Sequence, residues 1–292
     1  MFLMISRRAL LAASALLAFP LAAGHASVSQ AVSDRLALLE KRSGGRLGVA
    51  ILDVRTGLMA THRADERFAM CSTFKAIAAA AVLARVDAGR DDLERRITYG
   101  KDKLIVWSPV TEKHAGGRGM TLGALCDAAV TMSDNTAGNL LLESLGGPEG
   151  LTAFFRSLGD DVSRLDRWEP DLNNVPPGDP RDTTTPAAML RSLQKVVLGD
   201  ALSQTSRQRL ADWLIANQTG DARLRAGFPD GWRIGDKTGT GTTVASDIAV
   251  AWTPEGATLL ISAYLEAPEL SASDRDKIFK EIGEIAAEMA EA

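Results

Sequence analysis

The fold is organised around residues 72–89, which read STFKAIAAAAVLARVDAG. Alanine is the best helix former, so the run from Ala76 to Ala84 predicts a helix that begins close to Ser72. Helical signals continue from there to about Leu214. The middle of the chain is therefore predicted to be a helical block.

Strand signals flank this block on both sides. Residues 47–54 precede it, and residues 248–252 and 257–265 follow it, as apolar runs bounded by turn residues. Further helices are predicted at both chain ends, the last one capped by Ser273. The simplest packing is an α/β fold of two bodies. One is an antiparallel sheet flanked by helices from both chain ends, the other is all-α, and the active site lies in the cleft between them.

This packing divides the chain into domains. The α/β domain takes residues 27–65 and 215–292, and the all-α domain takes residues 66–214. Within the all-α domain, residues 164–185 are rich in proline, asparagine and glycine and predict an irregular loop. Long irregular loops in compact domains are usually functional, so this loop is expected to border the active site.

Residues 1–26 have the pattern of a secretory signal peptide. Arg7 and Arg8 precede an apolar run at residues 9–23, and residues 24–26 supply small side chains for a cleavage site. The run is short for a transmembrane helix, which disfavours the alternative of a membrane anchor. The arginine pair is also a partial twin-arginine signal, so the Sec and twin-arginine routes both stay open. The mature chain is expected to be periplasmic or secreted, with no membrane attachment after cleavage.

Composition excludes several classes of function. The 292 residues carry 33 basic and 37 acidic side chains, a net charge of −4, which is not the basic footprint of a nucleic-acid binder. Cys71 and Cys126 have no zinc or redox spacing and are expected to be free and buried, although pairing in an oxidising compartment is an alternative. His62 and His114 are isolated, so neither a metal nor another cofactor is expected.

Four short motifs carry chemistry, although each one alone also fits a purely structural role. They are Ser72-Thr73-Phe74-Lys75, Ser133-Asp134-Asn135, Glu169-Pro170 followed by Asn173, and Lys237-Thr238-Gly239. A serine and a lysine three residues apart share one face of a helix, where a desolvated lysine can lose its proton and activate the hydroxyl. A second Ser-x-x-Lys begins at Ser192 and is interpreted as a solvated helix face.

The other motifs add complementary groups. Ser133 offers a second hydroxyl for proton relay, and the Asn135 amide can bind a carbonyl, although a polar turn or helix cap explains both residues equally well. Glu169 on a packed loop can hold a water for general-base attack. Arg167 and Asp182 can tie the ends of that loop together as an ion pair.

The fourth motif suits an anionic ligand. Lys237 and the hydroxyls of Thr238 and Thr240 can grip a carboxylate, and Gly239 permits close approach of the backbone. A phosphate-binding loop is the alternative, but Asp236 stands where such a loop needs glycine, and its carboxylate would repel phosphate.

In this order and spacing, the four motifs together resemble those of class A serine β-lactamases. The resemblance covers essentially all of the mature chain and extends to the stretch Arg181-Asp182-Thr183-Thr184-Thr185-Pro186. It selects Ser72 over Ser192, because only Ser72 precedes Ser133-Asp134-Asn135. It implies a β-lactam amide hydrolase that works through a serine acyl-enzyme and confers antibiotic resistance.

The resemblance also implies a role for each motif residue. Ser72 is the nucleophile, and Lys75 and Glu169 are alternative bases for acylation. The backbone N–H groups of Ser72 and Thr240 form the oxyanion hole, and Ser133 protonates the leaving nitrogen with help from Lys237. The substrate-binding residues are Asn135, Asn173, Lys237, Thr238, Thr240, Arg223 and Trp107. The structural residues are Asp134, Arg167, Asp182 and Gly239, and the Glu169–Pro170 peptide is expected to be cis.

Two departures from the family pattern concern the substrate. No arginine follows Lys237-Thr238-Gly239 on the next strand, and the carboxylate-binding role passes to Arg223, as in a subset of the family. Gly241 stands where carbapenem-hydrolysing relatives often have a cysteine that pairs with one at the position of Cys71. The sequence therefore favours penicillins and cephalosporins over carbapenems.

Two other functions share part of this pattern. A D,D-peptidase acting on cell-wall peptides would keep Ser72, Lys75 and Lys237 but would not need Glu169. A β-lactam sensor domain, which acylates once, would also lack a deacylating glutamate. The resemblance to β-lactamases implies that the partners are small β-lactam substrates, and the mature chain is expected to be a monomer.

Overall fold

The computed structural model describes residues 19–291. Residues 1–18, most of the predicted signal peptide, lie outside the described residues. The α-helices are α1 (Phe19–Ser43), α2 (Phe74–Asp87), α3 (Leu122–Thr131), α4 (Asn135–Leu145), α5 (Pro148–Ser157), α6 (Pro186–Val197), α7 (Gln204–Ile215) and α8 (Ala272–Glu291). The strands are β1 (Arg46–Asp53), β2 (Met59–His62), β3 (Phe68–Ala69), β4 (Arg96–Ile97), β5 (Met120–Thr121), β6 (Thr183–Thr184), β7 (Arg233–Thr240), β8 (Val244–Trp252) and β9 (Thr258–Glu266). Between residues 19 and 291, no helix combines the length and the apolar character needed to cross a bilayer.

Five strands form one antiparallel sheet in the order β2-β1-β9-β8-β7. Alternate residues of each strand face opposite sides, so Val49 and Ile51 pack with α1 and α8, and Ala50 and Leu52 pack with the helical block. Both faces are buried, and β7 is left at an edge. The predicted fold class, a sheet flanked by helices from both chain ends beside a helical body, is confirmed.

Helix α2 is the centre of the helical block. It contacts α3, α4, α5, α6 and α7, and residues 76–83 are buried. Its alanines present little bulk, which lets several helices approach the same axis closely. The N-terminus of α2 is thereby held between the block and the sheet, where Ser72 lies.

The segment predicted to be all-α also contains two short antiparallel ladders. Strand β3 pairs with β6, and β4 pairs with β5. The loop at residues 164–185 is irregular as predicted, apart from β6 and one 3₁₀ turn at Asp171–Asn173. We propose that the domain boundaries remain after residues 65 and 214, with β3 to β6 as small additions to the helical body.

Two local predictions were wrong. Ser192 is buried and donates to Asp160 Oδ2 at 2.9 Å, because it lies on the inner face of α6 and only Lys195 of that motif faces solvent. The cap of α8 is Ser271, whose Oγ accepts from the Asp274 N–H at 3.1 Å, and Ser273 already lies within the helix.

Candidate active site

Ser72 and Lys75 lie at the start of α2. A 3₁₀ turn at Cys71–Thr73 leads directly into the helix, and Cys71 is held at a φ of 45°. The helical spacing brings Lys75 Nζ to 2.9 Å from Ser72 Oγ. Ser72 is 8% exposed and Lys75 is 0% exposed, so the hydroxyl lies at the cleft surface with the amine beneath it.

Lys75 Nζ has four oxygen neighbours. They are Ser72 Oγ at 2.9 Å, Ser133 O at 2.9 Å, Asn135 Oδ1 at 2.6 Å and Glu169 Oε1 at 3.0 Å. Burial lowers the pKa of Lys75, and the neighbouring Glu169 carboxylate opposes that effect. A buried amine with a lowered pKa and its nitrogen on the Ser72 hydroxyl can take a proton from it.

Asp134 holds the second motif in place. Its buried carboxylate caps α4 by accepting from the Ala137 N–H at 2.8 Å, and it also accepts from the backbone N–H groups of Val110 and Thr111 at 3.0 and 2.9 Å. The Asn135 N–H donates to Trp107 O at 2.9 Å. These bonds place Trp107 at the rim of the cleft, where its side chain is exposed.

Glu169 reaches Ser72 from the irregular loop. Its Oε1 accepts from Ser72 Oγ at 3.0 Å, and its Oε2 accepts from Asn173 Nδ2 at 2.5 Å. The Glu169–Pro170 peptide is cis. Asn173 Oδ1 is buried and has no hydrogen-bond partner among the described residues, so it can accept from a bound water.

Asn139 fixes the backbone of Glu169. Its Nδ2 donates to Glu169 O, and its Oδ1 accepts from the Glu169 N–H, both at 3.0 Å. Asn139 is not among the residues predicted from the sequence. The available signal was its position four residues after Asn135, on the same face of α4.

An ion pair closes the irregular loop. Arg167 Nε lies 2.5 Å from Asp182 Oδ2, and Asp182 Oδ1 accepts from the N–H groups of Asp166 and Arg167 at 2.8 and 2.9 Å. Asp182 is fully buried. The two ends of the loop therefore meet at one carboxylate.

Strand β7 forms the opposite wall of the cleft. The Gly241 N–H donates to β8, at Val244 O, over 3.0 Å. In an antiparallel ladder alternate residues bond to the neighbouring strand, so the backbone groups of Thr238 and Thr240 point away from β8 towards the open edge of the sheet. Lys237 Nζ donates to Ser133 Oγ at 3.0 Å and to Thr238 O at 2.7 Å. Burial, with a smaller effect from the charge of Lys75, lowers the pKa of Lys237 to about 7.

Arg223 lies behind this wall. Its Nη1 donates to the carbonyl of Gly239 and its Nη2 to Thr240 Oγ1, each at 2.9 Å, while its Nε donates to Asp276 Oδ1 at 2.8 Å. Gly239 is packed so closely that a Cβ there would lie 2.3 Å from Ser246 Oγ. Arg223 is buried and contacts the cleft wall through the Thr240 hydroxyl.

The cleft itself is a cavity of about 290 Å³. It is lined by Ser72, Trp107, Ser133, Asn135, Asn173, Thr219, Thr238 and Thr240. Lys75, Glu169 and Lys237 lie buried in its walls. Thr219 is the one lining residue of this cavity that was not predicted from the sequence. A larger cavity of about 620 Å³ is lined in part by residues 175–179, and no residue of the four motifs lines it.

Both cysteines are free and buried, as expected. Burial raises the pKa of the Cys71 thiol to about 12, which disfavours the thiolate that a nucleophilic cysteine needs. A Cβ on Gly241 would lie 3.5 Å from Cys71 Sγ. Within residues 19–291, no three His, Cys, Asp or Glu side chains are grouped closely enough to hold a metal ion.

Comparison with known proteins agrees with this geometry. The model of the β-lactamase enzyme family matches residues 30–290. β-Lactamase L2 of Stenotrophomonas maltophilia is 47% identical over 293 residues, which cover 98% of this chain and 96% of that protein. β-Lactamase FAR-1 of Nocardia farcinica is 52% identical over 227 residues, which cover 77% of this chain and 72% of that protein.

Solved structures match over the same region. An ancestral class A β-lactamase is 62% identical and superposes with a TM-score of 0.86, covering 88% of this chain and 99% of that one. The chain therefore belongs to the class A β-lactamases, serine enzymes whose hydrolysis of β-lactam antibiotics makes bacteria resistant to them.

Proposed function

We propose that this chain hydrolyses the β-lactam amide through an acyl-enzyme on Ser72. The observation that carries the proposal is the position of Ser72 Oγ between two bases, 2.9 Å from Lys75 Nζ and 3.0 Å from Glu169 Oε1. Either base is close enough to take the hydroxyl proton as the oxygen attacks the carbonyl carbon.

The rest of acylation uses groups on both walls. The N–H groups of Ser72 and Thr240 stabilise the charge that develops on the carbonyl oxygen. Ser133 Oγ donates its proton to the leaving nitrogen as the amide C–N bond breaks. Lys237 Nζ, 3.0 Å from Ser133 Oγ, supports that transfer.

Deacylation uses the irregular loop. Glu169 accepts a proton from a water that attacks the ester carbonyl, and the proton then returns to Ser72 as the acid product leaves. The Asn173 side chain holds Glu169 Oε2 at 2.5 Å and offers its free Oδ1 to the same water. A peptidase or a sensor does not need this arrangement.

The substrates are proposed to be penicillins and cephalosporins. Their carboxylate would lie against Lys237, Thr238 and Thr240, with Arg223 acting through the Thr240 hydroxyl. Asn135 would bind the amide of the substrate side chain. Trp107 would cover one side of the ring system.

The variant Glu169→Ala tests the division of roles. It is expected to acylate but to deacylate slowly, so a covalent β-lactam adduct should accumulate and be visible by intact mass. Adduct formation without Glu169 would assign the acylating base to Lys75. Turnover at the wild-type rate would contradict the role of Glu169.

Two controls accompany this experiment. Glu255→Ala removes an exposed carboxylate from the β8–β9 turn and should leave no persistent adduct. Ser72→Ala should form no adduct, and an adduct on that variant would place the nucleophile elsewhere. A single stoichiometric burst from the wild-type enzyme would favour the peptidase or sensor function.

We also propose that the mature enzyme is an exported monomer that begins after Ala26. The support is the charged start, short apolar run and small-residue exit of residues 1–26. Intact mass of the protein recovered from the periplasm or the medium should correspond to residues 27–292, and light scattering should give the mass of one chain. A full-length mass would contradict cleavage.

A further inference from the structure

Thr219 lies in the cleft but belongs to none of the four motifs. It follows α7 in the loop that leads to the 3₁₀ turn at Leu224–Gly227, and its side chain is partly exposed to the cleft. Its Oγ1 lies 2.5 Å from Thr238 Oγ1. A third hydroxyl therefore joins those of Thr238 and Thr240 on one wall.

The loop that carries Thr219 is held rigidly against β7. Asn217 is buried, and its Oδ1 accepts from the Thr219 N–H at 3.1 Å while its Nδ2 donates to Asp236 Oδ2 at 2.6 Å. Gly220 is packed so tightly that a Cβ there would lie 1.8 Å from Asp236 Oδ2. Asp236 thus holds the loop through Asn217, and this places Thr219 beside Thr238.

The hydrogens of the two hydroxyls leave a choice of direction. Thr219 Oγ1 lies 2.8 Å from Asn217 Oδ1, which can only accept, and each threonine has one hydroxyl hydrogen. When Thr219 donates to Asn217, Thr238 must donate to Thr219, and its hydrogen points away from the cleft. When the Thr219 hydroxyl turns to donate to an anion, Thr238 still donates to Thr219 Oγ1, because two hydroxyl oxygens 2.5 Å apart need a hydrogen between them.

Rotation of the Thr219 hydroxyl away from Asn217 leaves no buried acceptor unsatisfied. Asn217 Oδ1 keeps the Thr219 N–H as a donor in either arrangement. The pair can therefore satisfy itself in the free enzyme and present the Thr219 hydrogen to a ligand without leaving a buried group unpaired. An isolated hydroxyl at Thr238 would lack that internal partner.

We propose that Thr219 is a further substrate-binding residue. Its hydroxyl accepts from Thr238 in both states, donates to Asn217 Oδ1 in the free enzyme, and turns to donate to the substrate carboxylate in the complex. The inference rests on the proposed function, because the ligand is the carboxylate of the β-lactam bound beside Ser72.

The test compares Thr219→Val with Thr219→Ser. Valine keeps the shape and removes the hydroxyl, so kcat/KM for a penicillin should fall about tenfold, the effect of a hydrogen bond to a charged group. The serine variant restores the hydroxyl and should recover most of the loss. On the methyl ester of the same penicillin, the ratio of wild type to Thr219→Val should fall to about twofold or less, because the carboxylate charge is gone.

Controls separate this role from a structural one. Thr205→Val makes the same change on the exposed face of α7 and should not alter the acid-to-ester ratio. Thermal unfolding checks that each variant folds, and Thr219→Ala replaces the valine variant if valine disturbs the loop.

Two results would overturn the inference. One is wild-type kcat/KM in a folded variant without the hydroxyl, and the other is an equal loss on acid and ester. Failure of the proposed function is distinct, because the wild-type enzyme would then turn over neither compound.

Discussion

Two buried lysines share the cleft, and their surroundings give them different tasks. Lys75 contacts the Glu169 carboxylate and the Ser72 hydroxyl, both within 3.0 Å. Lys237 has no carboxylate oxygen within ion-pair distance among residues 19–291, and it donates to Ser133 Oγ and Thr238 O. Lys75 is thus placed to exchange a proton with the Ser72 hydroxyl, and Lys237 is placed to contact a bound anion.

Activity should depend on pH through Lys237. Burial lowers its pKa from 10.5 to about 7, so in the free enzyme the ammonium loses its charge as pH rises through about 7. The value of kcat/KM for a carboxylate-bearing β-lactam should therefore decline on the alkaline side of that pH. Lys237→Arg should move this limb to higher pH, because a guanidinium keeps its proton. A limb that stays in place in a folded arginine variant would show that another group titrates.

The same lysine affects stability in the opposite direction. Between pH of about 7 and 10.5, the unfolded chain binds a proton at Lys237 that the folded enzyme does not. The contribution of Lys237 to the free energy of unfolding therefore rises with pH across this window. Below about pH 7 the folded enzyme bears the full cost of burying the charged ammonium group. The charged form of Lys237 thus favours substrate binding, and the neutral form favours the folded state.

At the level of elements, the site is assembled from α2, α4, β7 and the loop at residues 164–185. The 3₁₀ turn at Cys71–Thr73 supplies Ser72, and the first turn of α2 supplies Lys75. Asn135, at the N-terminus of α4, accepts a hydrogen bond from Lys75. The loop contributes Glu169 with little regular structure of its own. Its position depends on Asn139 and on the Asp182 carboxylate at its ends.

Removing that carboxylate should destabilise the enzyme and slow deacylation. Asp182→Ala leaves two backbone N–H groups and Arg167 without their acceptor, and the loss should be about 2–4 kcal/mol of unfolding free energy. Asp179→Ala is the matched control, since the partner Arg181 is largely exposed, and it should change stability little. Denaturant unfolding and single-turnover deacylation measure the two effects. Equal stability of both variants would mean that the buried carboxylate does not hold the loop.

In the whole molecule, the two bodies share one hydrophobic core. Phe74 and Leu83 of α2 belong to the same buried cluster as Ile248, Leu260 and Tyr264 of the sheet. Neither body can expose its side of this cluster without a large loss of apolar burial. The cleft therefore lies above a continuous core instead of between two independently stable units.

Unfolding should accordingly be a single transition. Far-UV circular dichroism follows the helices, and fluorescence of a variant that keeps only Trp232 and Trp252 follows the sheet body. The two signals should give coincident melting curves, because the shared cluster couples the bodies. Two separated midpoints would show that the bodies unfold independently.

The order of strands and helices, the Ser72–Lys75 pair and the Arg167–Asp182 pair were open to prediction from the sequence. Helical spacing, alternating apolar residues and motif order are local properties, and local properties determine which face a side chain occupies along its own element. The same reasoning failed at Ser192, where the motif was present but the packing of α6 placed the hydroxyl in the interior.

Only the tertiary structure decided which distant residues complete the site. Asn139, Thr219 and Asp276 come from separate elements, and each contacts a residue of the predicted site (Glu169, Thr238 and Arg223) at 2.5 to 3.0 Å. Apart from the position of Asn139 four residues after Asn135, nothing in the spacing of these residues marks them, because their partners lie between 19 and 53 residues away along the chain. By itself the sequence determined the family and the motifs that carry the proposed reacting groups. The packing of α2, α4, α8 and β7 determined how those groups are held, since hydrogen bonds between distant residues form only when separate elements meet.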